Sequence, residues 1–135
     1  MKNLFLMLWV SFAGCLSHPK IPISDTLENG LQDHYMQYVS LLNRAYNNDT
    51  DALNNFLKID YVWDAAGYDH GGIVVELLVK CVDSAFYRSL NRLSAKELNF
   101  VSSYFRVGLE YSCDVPIDSI IQNYPKTYAL LHRYD

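Results

Sequence analysis

The chain has 135 residues, half of them hydrophobic by type, with 11 basic and 15 acidic residues and a formal net charge of −4. That apolar fraction argues against a disordered body, and basic residues that are neither in excess nor clustered argue against a nucleic-acid partner. The length suits one domain around a single core. No phosphate loop, dinucleotide fingerprint or Gly-x-Ser-x-Gly elbow occurs, so no cofactor is expected.

The first residues read Met1-Lys2-Asn3, then Leu4 to Val10 without a charge, then Ser11-Phe12-Ala13-Gly14-Cys15. A basic start, a short apolar run and small residues at its end are the marks of a secretory signal peptide, here residues 1–14. The apolar run of roughly 10–12 residues falls well short of the ~20 that a membrane-spanning helix needs. Phe12-Ala13-Gly14-Cys15 resembles the lipobox of bacterial lipoproteins, with Phe12 where that family usually carries Leu. The resemblance covers residues 1–15 alone. It implies that Cys15 becomes the mature N-terminus and is lipidated, anchoring the domain to a membrane in the cell envelope. Leu16 after it, rather than Asp, implies the outer membrane and the periplasm in a Gram-negative cell. The competing expectation is ordinary cleavage after Ala13 and free secretion. Loss of Lys2 with the leader leaves 10 basic against 15 acidic residues, a net charge of −5.

Residues 15–24, with Pro19 and Pro22, read as a tether, and residues 25–135 as an all-α domain, a single small bundle of about five helices. Ser24 or Asp25 is suited to cap a first helix, with Leu27, Leu31, Tyr35, Tyr38, Leu42 and Ala45 at three- and four-residue spacing. Gly30 is a weak point inside it. Asp49 or Thr50 caps a shorter helix carrying Leu53, Phe56 and Leu57, and a further helical turn or two is expected over 60–66, ending at Gly67. The glycine-dense stretch 67–72 reads as a turn. A wide apolar face, including Val74, Leu77, Leu78, Cys81, Ala85 and Phe86, predicts a central helix over about 71–90. Ser94 and Glu97 match a capping box. The helix that they open carries two stripes, Leu98, Val101, Phe105 and Leu109 beside Phe100, Tyr104, Val107 and Tyr111. Pro116 and Pro125 suit the starts of two short last helices. Short connections predict antiparallel neighbours.

The chemistry-bearing types are densest from Asp64 to Glu76: Asp64, Asp69, His70 and Glu76, with three glycines. One reading makes this a pocket rim with His70 as acid, base or ligand; the other makes it a helix cap, a glycine turn and solvated polar groups. His-x-x-x-His spacing is absent, so no metal site is expected. Glu76 lies four residues before Lys80 and predicts an exposed ion pair. Cys81 and Cys113 are expected to stay unpaired thiols in the core. Consecutive antiparallel helices would set them roughly 15 Å apart, beyond the ~7 Å between alpha carbons that a disulfide spans.

Eleven tyrosines point to a binding surface, because tyrosine combines apolar area with one wet end. Tyr61, Trp63 and Tyr68 are its candidate residues, beside Asp64, Asp69, His70 and Glu76. The expectation is a non-catalytic, lipid-anchored envelope protein with a protein partner, in the manner of an inhibitor or immunity protein. The alternatives are a small hydrolase or metal-dependent enzyme centred on 64–76, and a structural lipoprotein with no discrete site.

Overall fold

The computed structural model describes residues 18–134, and its described residues are helical without a strand. The expected signal segment and Cys15 lie outside them. Eight α-helical segments are present: α1 (Asp25–Leu31), α2 (Tyr35–Tyr46), α3 (Thr50–Leu57), α4 (Asp64–Lys80), α5 (Asp83–Leu90), α6 (Ala95–Val107), α7 (Ile117–Asn123) and α8 (Pro125–Leu131). None is long and apolar enough to cross a membrane. The class is all-α as expected, and the segments outnumber the expected five chiefly because two of the expected helices are broken.

The start signals act as their chemistry dictates. Ser24 Oγ accepts from the Leu27 amide, and Asp49 Oδ1 accepts from Ala52. Ser94 and Glu97 satisfy each other's backbone N–H at 3.2 and 2.8 Å. Pro125 opens α8, where its missing donor costs nothing. The breaks have different causes. Gln32 takes a left-handed φ of 48° and ends α1, so a 3-10 turn over Gln32–His34 separates it from α2. Cys81 turns to extended backbone (ψ 166°) and divides the expected 71–90 helix into α4 and α5. Residues 60–63 are not helical.

The largest correction concerns the glycines. Gly67, Gly71 and Gly72 do not form a turn; they lie inside α4, and none has a positive φ. Their role is to bring two backbones together. A Cβ on Gly71 would collide with the Tyr104 carbonyl oxygen and stand 2.9 Å from the Gly108 nitrogen, and one on Gly108 would strike the Gly71 carbonyl. Trp63 meets Phe100, Gly67 meets Tyr104 and Gly71 meets Gly108, each pair 37 positions apart. Contacts that advance in step show α4 and α6 running parallel at a fixed offset, with α5 returning the chain between them. The expectation of antiparallel neighbours fails for this central pair. Past the crossing, α6 loosens into a π-helical turn over Gly108–Ser112 that packs along α4.

The core collects Leu27, Leu31, Leu42, Phe56, Leu57, Val75, Leu77, Leu78, Phe86, Leu90, Ile120 and Leu131, all almost completely buried. The supposed tether is partly docked: Ile21 is buried, the Asn43 amide donates to the His18 carbonyl at 3.0 Å, and the Lys20 N–H donates to Asn43 Oδ1 at 2.7 Å.

Candidate functional site

The parallel pairing of α4 and α6 sorts the candidate residues into an inside and an outside. His70 goes inside. It is 1% exposed, and its ring is edge-on to Tyr104 at 4.5 Å and beside Tyr38 and Phe56. A 2.7 Å hydrogen bond joins His70 Nδ1 to Tyr38 Oη. Burial without a nearby carboxylate disfavours the charged imidazole, lowering its pKa from 6.5 to about 3. The same burial pushes the Tyr38 hydroxyl well above its ordinary value. Both groups are neutral at physiological pH, and their bond lets the core hold two polar side chains.

The carboxylates separate from it. Asp64 is exposed at the first position of α4, with a left-handed φ of 53°. Asp69 is half-buried and accepts a short hydrogen bond from Ser24 Oγ. Glu76 lies two turns on, exposed, its pKa raised by partial desolvation. Asp69 and Glu76 do share a helix face, and with Ser24 and Ser112 they line a cleft of about 130 Å3. His70 does not reach that cleft, so the converging histidine and carboxylates that a hydrolase of this segment requires are not assembled. Among the described residues no group of three or more metal-ligating side chains is placed to hold an ion. The expected Glu76–Lys80 pair is not formed: Lys80 Nζ sits 4.7 Å from the Tyr46 ring centre instead. Cys81 and Cys113 are free thiols, as expected, although α5 rather than a simple hairpin follows Cys81.

What remains outside is aromatic. Trp63 is 63% exposed and meets Phe100 edge-on at 6.2 Å, and Lys96 Nζ lies 5.9 Å from the Phe100 ring centre. Further along the same seam, exposed Tyr68 packs on Tyr111, itself 65% exposed, at 5.4 Å. Tyr104 lies between them, its hydroxyl donating to the Val62 carbonyl at 2.8 Å. Two ring pairs, Trp63–Phe100 and Tyr68–Tyr111, thus straddle the seam between α4 and the α6–π-turn segment and make an aromatic ridge. Tyr61 stands apart, half-buried and stacked on His34 at 4.3 Å. Sequence reasoning found Trp63 and Tyr68 but not their partners, Phe100 on α6 and Tyr111 in the π-helical turn that follows it, although both lie on the second stripe expected of that helix. Neither a protein-family model, nor a characterised protein, nor a solved structure matches this chain.

Proposed function

We propose that this is an exported, lipid-anchored envelope protein that binds a protein partner through the α4–α6 aromatic ridge and performs no catalysis itself. The observation that carries the reading is the exposure of Trp63, Tyr68 and Tyr111 on a rigid two-helix frame. Large rings with few rotatable bonds give contact area at small entropic cost, which is why they dominate the energetics of protein interfaces. Monomeric surfaces do expose single apolar residues, but two aromatic pairs along one helix seam are a stronger signal than isolated ones. A mature charge of −5 suits a basic partner, as an inhibitor of an envelope-directed toxic enzyme would meet. The basic, apolar and small-residue order of residues 1–15 supports export and acylation at Cys15.

Two measurements test the two halves. Intact mass and membrane fractionation of the protein made with its own leader should give a diacyl- or triacylated product beginning at Cys15; an unlipidated product beginning at Gly14 removes the anchor. Photo-crosslinking from position 111 in the native envelope should give one heteromeric adduct that disappears with Trp63→Ala. Failure to capture any partner, or capture indifferent to Trp63, overturns the ridge as a binding surface.

A further inference from the structure

A second concave surface, of about 380 Å3, lies between the α2–α3 corner and α5, on elements other than the ridge. Ala85, Arg88 and Ser89 of α5 line it on one side of the helix, with Arg92 just beyond its C-terminal end. Ala45 and Leu53 form the opposite, apolar wall. Ser89 is fully buried, and its hydroxyl has no hydrogen-bond partner among the described residues. An unmatched buried hydroxyl costs roughly 1–3 kcal/mol, and this one borders the cleft.

The charge balance of the cleft is positive where it is unspent. Arg88 makes no ion pair among the described residues, and Arg92 reaches Asp51 only at 3.8 Å between two exposed side chains, a contact of little energetic weight. The acid on the rim, Asp49, is already engaged: it caps α3 through Ala52 and pairs with Arg44 at 2.7 Å, and those bonds hold its carboxyl below the usual range. Two guanidiniums flanking one buried hydroxyl, above an apolar wall, match a carboxylate attached to a short hydrocarbon body.

We propose that this cleft binds a small amphiphilic carboxylate. Arg88 and Arg92 donate to the two carboxylate oxygens, charge-assisted bonds of the stronger kind. The Ser89 hydroxyl donates to one of the same oxygens, and the hydrocarbon body lies on Ala45, Leu53 and Ala85. A free short-chain acid and an apolar C-terminal residue of a peptide present this same chemistry.

The test is amide NMR of the purified protein titrated with octanoate, for the free acid, and with acetyl-leucine, for the peptide terminus; octanol and inorganic phosphate supply the body and the anion separately. Saturable shifts confined to residues 48–53 and 81–92 are expected with at least one of the two acids, and the tighter binder identifies the source. Octanol and phosphate should bind about tenfold more weakly or worse. Replacing Arg88 and Arg92 together with Gln should weaken the acid about tenfold or more. Ser89→Ala should weaken it several-fold while leaving the melting temperature unchanged or higher, since it removes an unmatched hydroxyl. Absence of saturable shifts with both acids, or affinity untouched by the double Gln variant, overturns the proposal.

Discussion

The inner and outer faces of α4 invert a common expectation. The inner face carries the most reactive side chain of the segment, His70, and holds it as a neutral packing residue against Tyr38, Phe56 and Tyr104. The outer face carries Trp63 and Tyr68, residues that would be ordinary in a core, and leaves them in water. Reactivity is a property of access and of neighbours, so a histidine with neither substrate access nor a charged partner is structural. An indole with 63% of its surface exposed, by contrast, forgoes burial that the fold could use.

Four perturbations would sharpen or break this division, taken from the largest effect downwards. Gly71→Ala should destabilise the fold by about 3 kcal/mol or more, because the obstacle is the Tyr104 carbonyl and the Gly108 backbone, which cannot rotate aside. Denaturant unfolding measures it, and a loss under about 1 kcal/mol would mean that the crossing is looser than described. The second perturbation is acid. His70 has a folded pKa lowered to about 3 against 6.5 when free, so below pH 6.5 the unfolded chain takes up a proton that the folded chain refuses. Its contribution is complete above pH 6.5 and is lost as pH falls towards 3, at about 1.4 kcal/mol per pH unit. Stability against pH for the protein and for His70→Phe isolates that slope; equal slopes would place the histidine in contact with solvent.

The third perturbation touches the outer face alone. Trp63→Ala or Tyr111→Ala should change folding stability by under about 1 kcal/mol but weaken the partner complex by more than tenfold, about 1.4 kcal/mol. A large loss of stability with unchanged binding would reverse the assignment of the two faces. The smallest effect is expected at a site remote from both. Ser94→Ala breaks the capping box and should cost about 1 kcal/mol, read as a lower melting temperature with partner affinity intact.

Local signals were legible in the sequence and long-range ones were not. Ser24, Asp49, Ser94 and Pro125 act within a turn of their own position, and each starts the helix that its chemistry suggests. Gly67, Gly71 and Gly72 read locally as a turn because three glycines fall close together in one stretch. Their reason for being helical lies 37 residues away, at Tyr104 and Gly108. The break at Cys81 contains neither proline nor glycine and carries no local sign. The ridge was half visible for the same cause: Trp63 and Tyr68 stood out as exposed aromatics near a cluster of polar residues, whereas Phe100 and Tyr111 join them only through the parallel register of α4 and α6. Burial of His70 depends on α2 and α3 packing over it, which its own neighbours in the chain do not announce.

The amide of Asn43, which grips His18 and Lys20 from both sides, sets the reach of the molecule. Backbone at residues 18 and 20 is fastened to the body, the first of them only three positions after Cys15 in the sequence. At about 3.5 Å per residue, three positions span at most roughly 10 Å, less than half the ~25 Å length of α4. Were Cys15 acylated as proposed, a domain moored that closely could not swing freely above the bilayer. It would present a limited set of orientations, and partners would be met at the membrane surface itself.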